Sequence, residues 1–460
     1  MSAIPVIAIF DVGKTNKKLF LFDENYRIVY EKSARFIETT DEDGFPCENL
    51  ESLRLSIFDS LNEIFRHKEF DIKAVNFSTY GASFVYLDED GKTLTPLYNY
   101  LKPYPQELSD DLYARYGGEE EFSLATASPV SGSLNSGLQL YRLKKEKPEL
   151  FQQMKYAMHL PQYLSYLLTG SYYSDLTSIG CHTGMWDFTK NTYHDWVKQE
   201  GIAPKLAPIV PANQVLDAIF PGNNYKVGVG LHDSSAALIP YLVNFHEPFI
   251  LLSTGTWCIS LNPFNQSALN AGQLKKDCLS YIEYTGKPVK AARIFSGFEH
   301  EQQVNRIAKH FNTDIIRFRN MAFMPELINK LKEEQEPAAT TEFSRQSPFA
   351  SRDLAHFETD MEAYHQLIFD LVQIQAVSTG LVLKDSPVKR IFVDGGFSKN
   401  SIFMNLLAAA FPQLEVFAAS MAQATAVGAA LAIHNEWNTK QVPNDIIQLN
   451  YYSTSKTLSL

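Results

Sequence analysis

Two aspartates, Asp11 and Asp233, stand where a carboxylate could take part in chemistry. Asp11 ends the apolar run 6–10 and precedes Gly13 in a short polar loop. Backbone N–H groups in such a loop can bind an anion, and glycine lets a ligand approach without a Cβ in the way. A carboxylate at a strand end can hold a divalent cation through oxygen. The side chains that surround this loop with donor groups are Lys14, Thr15, Asn16, Lys17 and Lys18.

An ordinary polar hairpin turn is the alternative for this first loop, because short motifs often match by accident.

Asp233 also allows a structural and a functional interpretation. It follows Gly230 and His232 and precedes a run of small and apolar residues that is typical of a helix. There it could cap the helix N-terminus, or it could face a cleft and accept the proton of a substrate hydroxyl.

Two more glycine loops occur in the second half of the chain. Residues 249–260 have the pattern of a strand, a small polar loop with Gly255 and Thr256, and a second strand. Residues 390–393 form an apolar run that precedes Gly395 and Gly396, which would permit close contact with a flat base. The second half thus repeats the design of the first hairpin, although each loop alone is a common α/β element.

The elements that must position these loops follow from hydrophobic periodicity. Strands are predicted on both sides of the Asp11 loop and at 27–36, followed by an amphipathic helix at 51–67 and a strand at 72–77. This β-β-β-α-β order indicates a mixed sheet and not a dinucleotide-binding unit, in which strands and helices would alternate from the start. Residues 100–135, rich in Pro, Gly and Ser, are predicted to be loops. Further helices are predicted at 138–147, 160–168, 401–410 and 423–431, and over most of 301–380.

Size and composition limit the classes of function. The chain has 460 residues, 45% hydrophobic and 20% charged, and a net charge of −11, which argues against a nucleic-acid partner. No apolar run approaches the ~18 residues of a membrane span, and the N-terminus has no signal-segment pattern, so no membrane association is expected. The four cysteines and eleven histidines show no metal-ligand spacing. Reduced thiols in a cytoplasmic protein, with His182 in a structural role, are the expectation.

Five stretches, in order along nearly the whole chain, resemble the motifs of the FGGY family of carbohydrate kinases, which belong to the actin/hexokinase/Hsp70 superfamily. They are a first phosphate motif, a motif carrying the catalytic base, a second phosphate motif, an adenosine motif and a closing helix. In this chain they read DVGKTN at 11–16, GLHD at 230–233, STGTW at 253–257, GGFSKN at 395–400 and ATAVGAA at 424–430.

The resemblance implies an α/β fold with two ribonuclease H-like domains around an interdomain cleft. Residues 1–245 would form an N-terminal sugar-binding domain with the first phosphate motif and the base, and residues 246–460 a C-terminal nucleotide-binding domain. Asp233 would be the catalytic base, and Asp11 would position Mg²⁺. The residues expected to hold ATP are Gly13, Lys14, Thr15, Asn16, Gly255, Thr256, Gly395, Gly396, Ser398 and Asn400, with Lys14 or Lys18 adding positive charge in the transition state.

Residues 79–88 look most like those of rhamnulose and fuculose kinases, which implies a ketose as the small-molecule partner. Ser83, Phe84 and Gln162 are the candidates for the sugar side, together with Asp233. The chain has Ser83 and Gln162 where the family usually has Asp, Lys14 where a small or hydroxyl residue is usual, and Gln423 where Glu is common. These departures leave the identity of the sugar open.

Other functions stay open at this point. A non-catalytic nucleotide-dependent switch of the same fold would bind ATP without needing a sugar. A kinase acting on another polyol or a sugar acid, and a relative that has lost its activity, are further alternatives. A homodimer is also left open.

Overall fold

The structure is a computed structural model, and it describes residues 3–14, 16–34, 38–222, 224–333, 346–421 and 423–453. Thr15, a predicted phosphate ligand, lies outside the described residues, as does the predicted end of the third strand at residues 35 and 36. Within the described residues, two seven-stranded sheets dominate the fold, one in each half of the chain.

Strands of the first half are β1 (Ile4–Val12), β2 (Lys17–Asp23), β3 (Ile28–Ala34), β4 (Thr39–Thr40), β5 (Pro46–Cys47), β6 (Phe70–Thr79), β7 (Phe84–Leu87), β8 (Tyr156–His159), β9 (Ser174–Asp175), β10 (Trp186–Asp187), β11 (Thr192–Tyr193), β12 (Ile209–Val210), β13 (Val215–Asp217), β14 (Lys226–Gly228) and β15 (Leu231–His232). Strands of the second half are β16 (Phe249–Thr254), β17 (Cys258–Asn262), β18 (Cys278–Ile282), β19 (Pro288–Ile294), β20 (Arg390–Gly395), β21 (Glu415–Ser420) and β22 (Gln448–Tyr452).

Helices are α1 (Leu50–Ile64), α2 (Gln106–Arg115), α3 (Glu119–Thr126), α4 (Ser136–Glu146), α5 (Pro148–Gln153), α6 (Leu160–Thr169), α7 (Leu176–Ile179), α8 (Asp195–Gln199), α9 (Asp233–Asn244), α10 (Ala271–Lys275), α11 (Ser296–Phe311), α12 (Pro325–Glu333), α13 (Asp360–Leu383), α14 (Ser401–Ala410), α15 (Ala424–Ala432) and α16 (His434–Trp437). Short 3₁₀ turns occur at Gly132–Leu134, Ala203–Lys205, Ile315–Asn320, Pro348–Ser351, Leu354–His356 and Phe397–Lys399.

The first sheet has the strand order β13-β14-β6-β1-β2-β3, with β15 also paired to β6. The predicted hairpin is confirmed, because β1 and β2 pair antiparallel, and β6 returns parallel to β1 after helix α1. Helices α1 and α6 cover one face with a continuous apolar core. In α1, the apolar side chains recur at helical spacing, and each one buried contributes about 1.5–3 kcal/mol.

The second sheet has the order β18-β19-β17-β16-β20-β21-β22. Strands β16 and β17 form the predicted second hairpin, and β20 runs parallel to β16. Helices α11 to α14 bury one face. Helix α13 is long and apolar enough to cross a membrane by composition, yet 67% of its most apolar window is buried inside the protein, as expected of a core helix.

Helices α9 and α15 lie against each other between the two sheets. Helix α15 lies between β21 and β22 of the second sheet in the chain, yet it packs on the face of the first sheet that α1 and α6 leave open. Its Gly428 lies so close to α9 that a Cβ there would approach the Ala236 carbonyl oxygen to 1.8 Å. The two halves of the chain are thus joined through a tight helix pair.

One predicted region is wrong. Residues 100–135 contain helices α2 and α3 where loops were expected. Pro105 stands at the N-cap of α2, and Gly118 stands at the N-cap of α3, so the residues taken as loop signals mark helix starts. Leu112 and Phe122 then pack into a separate apolar cluster with α4 and α8.

Candidate functional site

The two aspartates lie at the same edge of the first sheet. Asp11 in β1 pairs with Ser78 in β6, and Ser78 pairs with Leu231 in β15. Two strand spacings separate the Asp11 and Leu231 backbones, about 10 Å. Asp233 follows two residues later as the first residue of α9. The sheet register therefore delivers both carboxylates to one place.

Asp11 is an unusual carboxylate. Its pKa is raised to about 6, because burial and the nearby negative charge of Asp233 outweigh a hydrogen bond from Thr425 and the positive charge of Lys18. The Thr425 hydroxyl donates to Asp11 Oδ2 at 2.8 Å. Because Thr425 belongs to α15, the second half of the chain supplies a direct contact to the predicted metal ligand.

The side chain of Asp233 is 33% exposed. His232 is the N-cap residue of α9 and makes no side-chain capping bond, so the N-cap alternative for Asp233 is wrong. Asp233 Oδ1 accepts the Ser234 backbone N–H at 2.6 Å and lies 3.2 Å from His232 Nε2. Burial lowers the pKa of His232, which keeps this imidazole neutral beside the carboxylate.

The turn before Asp233 is held by buried polar groups. Gln162 Nε2 donates to the Gly230 carbonyl at 2.9 Å, and Asn76 Oδ1 accepts the Gly230 N–H at 3.1 Å. Thr177 Oγ1 accepts the His232 N–H at 3.1 Å. Gly230 itself has φ +83°, and a Cβ there would approach the Pro161 carbonyl oxygen to 2.6 Å. Three buried side chains therefore hold the backbone turn that precedes Asp233.

In the first phosphate loop, the Gly13 N–H donates to the Asn16 carbonyl at 2.9 Å and closes a tight turn. The Lys14 ammonium lies 3.3 Å from Glu38 and 3.7 Å from Glu48, so part of its charge is already balanced. Lys18 stands opposite Asp11 in the hairpin register, and its ammonium lies 3.0 Å from Glu31.

The other two glycine loops adjoin each other at one edge of the second sheet, where Thr254 pairs with Gly395. Thr254 Oγ1 donates to the Asp394 carbonyl at 2.5 Å and accepts the Phe397 N–H at 3.0 Å. A Cβ on Gly395, which has φ +92°, would approach the Thr254 carbonyl oxygen to 1.9 Å, so glycine is required there. Four backbone positions of these loops stay exposed to solvent: Gly255, Thr256, Gly395 and Gly396.

Ser398 and Asn400, two predicted nucleotide ligands, make internal contacts. The buried Ser398 hydroxyl donates to the Gly395 carbonyl at 2.8 Å. Asn400 caps α14 through its side-chain oxygen and donates to the Tyr364 hydroxyl at 2.8 Å. These side chains shape the loop that follows β20, and they leave its backbone as the exposed surface.

A cavity of about 510 Å³ lies in front of Asp233, and both halves of the chain line it. The first half contributes the segments after β6 and β7, the segment before α4, and Asp233 with its neighbours. The second half contributes Trp257 and side chains from β17, β18 and β19. Its lining includes Tyr80, Tyr100, Lys102, Tyr104, Ser133, His182, His232, Trp257, Tyr281 and Arg293. Among the described residues that line it, Asp233 is the single acid.

The three residues predicted for the sugar side do not line this cavity. Ser83, Phe84 and Gln162 are 1%, 1% and 2% exposed. The Phe84 ring packs against His159 with centroids 3.9 Å apart. Gln162 acts on the Gly230 turn, as described above. The side chains of these three residues are buried in the protein interior.

Sequence reasoning missed most of the cavity lining. His182 was expected to be structural, yet it borders the cavity. Arg293 forms a bidentate pair with Asp277, at 3.1 and 3.0 Å, and its guanidinium lies 5.4 Å from the Trp257 ring centroid. Trp257 is the last residue of the second phosphate motif, and this position was the one available signal for it.

Comparisons with known proteins agree with this architecture. The model of the FGGY family of carbohydrate kinases, N-terminal domain, matches residues 6–239, and that of the carbohydrate kinase FGGY C-terminal domain matches residues 246–441. A rhamnulokinase of Halalkalibacterium halodurans is 25% identical over 258 residues, 54% of this chain. The match spans about half of that relative's length, 54%.

Solved structures share the fold at lower identity. A carbohydrate kinase from Novosphingobium aromaticivorans superposes with a TM-score of 0.77 at 22% identity and covers 99% of this chain and 95% of its own. A ligand-bound xylulose kinase from Lactobacillus acidophilus gives 0.79 at 17% identity, covering 98% and 94%. A Plasmodium falciparum glycerol kinase with ADP gives 0.76 at 15% identity, covering 95% and 90%. These likenesses establish the two-domain actin/hexokinase-like fold. The two family models, which together match most of the chain, show that this chain belongs to the FGGY family of carbohydrate kinases.

Proposed function

We propose that the chain is an ATP-dependent sugar kinase that transfers the γ-phosphate to a hydroxyl of a ketose of the L-rhamnulose or L-fuculose type. The observation that carries this proposal is the meeting of Asp11 and Asp233 at one sheet edge, beside a cavity lined by both halves of the chain. Phosphoryl transfer needs mainly positioning and electrostatic stabilisation, which such an arrangement can supply.

Asp233 takes the proton of the acceptor hydroxyl. Its carboxylate borders the cavity. His232 lies 3.2 Å away, and because its imidazole is neutral it does not form an ion pair that would occupy the carboxylate in place of the substrate. The Gly230 turn limits the freedom of the carboxylate, so little reorganisation is needed when the hydroxyl arrives.

Asp11 fits a Mg²⁺ site. Mg²⁺ prefers oxygen ligands. The pKa of Asp11 is raised to about 6 by burial and by a second carboxylate, and a nearby cation would stabilise its ionised form. Asp11 would hold the ion, directly or through water, and Thr425 would orient the carboxylate. When bound, Mg²⁺ supplies neutralisation of the charge on the nucleotide phosphates.

The phosphates of ATP would lie between the first loop, with Gly13, Thr15 and Asn16, and the exposed backbone of Gly255 and Thr256. Gly395 and Gly396 would border the adenine. The contacts of Ser398 and Asn400 support a shaping role for these two side chains. Lys18, which stands opposite Asp11, or Lys14 would add positive charge, and both ammonium groups also lie beside glutamates.

On the sugar side, the cavity lining supports a neutral polyhydroxy acceptor. Aromatic rings such as Tyr100, Tyr104 and Trp257 can cover the C–H faces of a sugar, and the imidazole of His182 can hydrogen-bond its hydroxyls. We propose these residues in place of Ser83, Phe84 and Gln162. We also propose that the N-terminal domain ends at residue 245 and that the protein is cytoplasmic. A homodimer stays open.

The test is a panel of acceptors with ATP and Mg²⁺, scored by ADP release: L-rhamnulose, L-fuculose, D-xylulose, D-ribulose, glycerol and gluconate. We expect a ketose to give the highest kcat/KM. Equal ADP release with and without every acceptor would favour the alternative of a nucleotide-dependent switch.

Asp233→Asn tests the base directly. We expect kcat to fall by about 10²–10⁴-fold with the melting temperature retained, because the amide cannot accept the proton. Asp217→Asn is the matched control, since Asp217 lies on the surface with its side chain 82% exposed. Near-normal turnover of Asp233→Asn would remove the assignment.

A further inference from the structure

A cluster of nitrogen and sulfur ligands lies directly beside Asp233. Cys181, His182 and His232 are all buried, and one ligand atom of each lies within 4.8 Å of the other two. The cysteines and histidines show no metal-ligand spacing in the sequence, and these three side chains come together only in the fold. Spacing could not reveal the cluster, because the adjacent pair 181–182 meets a histidine from a separate strand.

The local geometry favours metal binding at this cluster. Cys181 Sγ and His232 Nε2 are 3.5 Å apart. This separation is close to the edge of a tetrahedron with Zn–S of about 2.3 Å and Zn–N of about 2.0–2.1 Å. His182 Nδ1 lies 3.1 Å from the Leu134 carbonyl oxygen. A backbone carbonyl on one ring nitrogen fixes the tautomer and leaves the other nitrogen free to bind a metal, as is usual for metal-ligating histidines.

Two more features bear on occupancy. His182 and His232 border the cavity, so an ion can reach them from solvent. The buried guanidinium of Arg293 would oppose a cation, but its bidentate pair with Asp277 balances that charge.

We propose that Cys181, His182 and His232 form an inhibitory site for a divalent transition-metal ion of the Zn²⁺ type. Thiolate and imidazole ligands select such ions over Mg²⁺, which prefers oxygen. Asp233 Oδ1, 3.2 Å from His232 Nε2, is within reach as a fourth ligand. Metal binding releases the thiol proton to solvent and occupies the carboxylate that would otherwise accept the substrate proton.

Direct binding is tested with Co²⁺ as a spectroscopic probe on the full chain. We expect one Co²⁺ per chain with a thiolate-to-cobalt charge-transfer absorption, displaced by Zn²⁺. Cys181→Ser should abolish that absorption and weaken binding by at least about tenfold, because even loss of an outer-shell partner costs about 10–100-fold. Cys278→Ser, which replaces a buried thiol in β18, should leave both unchanged.

The same absorption in wild type and Cys181→Ser, or none in wild type, would overturn the site. Melting temperatures of both variants show whether a lost signal comes from unfolding, and Cys181→Ala repeats the test without introducing a buried hydroxyl.

Inhibition rests on the proposed kinase function, whereas Co²⁺ binding does not. With excess Mg²⁺-ATP and a chelator-buffered Zn²⁺ series, we expect wild type to lose turnover at a free Zn²⁺ concentration at least about tenfold below that needed for Cys181→Ser. Equal inhibition of the two would overturn the inhibitory role. If no acceptor supports turnover, the kinase proposal fails, while the cobalt titration still decides the metal site.

Discussion

At the scale of single residues, Asp11 links the chemistry of the cleft to the stability of the protein. Its pKa is about 6 in the folded protein, against an ordinary value of 3.8. Between pH 3.8 and pH 6, the Asp11 carboxyl is protonated to a greater extent in the folded state than in the unfolded state. Its protonation therefore stabilises the folded protein fully below pH 3.8, and this stabilisation is lost as the pH rises through 6.

Asp11→Asn should remove this loss. We expect the variant to gain about 1–3 kcal/mol of unfolding free energy over wild type between pH 4 and pH 7. Mg²⁺ should raise the melting temperature of wild type and leave that of the variant unchanged. Melting curves at several pH values measure both effects, with the exposed Asp59→Asn as control. A pH-independent difference between Asp11→Asn and wild type would contradict the prediction.

Gln162 gives a second test at this scale, since it touches the backbone behind the base and not the cavity. Gln162→Leu removes the donor to the Gly230 carbonyl. We expect kcat to fall by about 10–100-fold with KM changed little, because the position of Asp233 shifts while the lining of the cavity stays intact. Gln153→Leu on the exposed side of α5 is the control. An increase in KM alone would instead indicate direct contact with the sugar.

At the scale of elements, the packing of α9 against α15 connects the two halves of the chain. Gly428→Ala forces a Cβ toward the Ala236 carbonyl oxygen, where the available distance is 1.8 Å. We expect a loss of about 1–3 kcal/mol or more, because the helices must separate. In α13, a Cβ on Gly380 would meet nothing within 4 Å, so Gly380→Ala should be neutral or stabilise by up to about 1 kcal/mol. Chemical denaturation compares the two, and equal effects would contradict a special role for this contact.

The elements also show how far sequence reasoning reaches. The two hairpins, helix α14 and the strands before each glycine loop were predicted because hydrophobic periodicity and glycine position are local signals. Helices α2 and α3 were missed because proline and glycine mark helix starts as well as loops. The Thr425–Asp11 bond joins residues far apart in the chain, and no local pattern encodes such a contact.

The same limit explains the candidate site. Asp11 and Asp233 could be predicted because each stands in a recognisable motif. The cavity lining could not be predicted, since it comes from loops of both halves whose side-chain directions depend on tertiary packing. Ser83 and Gln162 illustrate this difference, because both were candidates for the sugar side, while their side chains are 1% and 2% exposed and do not line the cavity.

At the scale of the whole molecule, both halves line the cavity in front of Asp233, and we expect a relative movement of the halves to change access to it. Trp257 can report it. This side chain is 42% exposed and borders the cavity, while the other three tryptophans, Trp186, Trp196 and Trp437, are 6%, 0% and 6% exposed. Acrylamide quenching of the intrinsic fluorescence therefore measures mainly Trp257.

We expect a non-hydrolysable ATP analogue and the preferred sugar, added together, to reduce this quenching, because domain closure would cover Trp257 and exclude water from the reacting groups. Each ligand alone should have a smaller effect, since only both together fill the space between the halves. Trp257→Phe should remove most of the quenchable signal and its response to ligands. Unchanged quenching of wild type with both ligands bound would mean that the two halves do not close over the substrate, and that the cavity excludes water by some means other than domain movement.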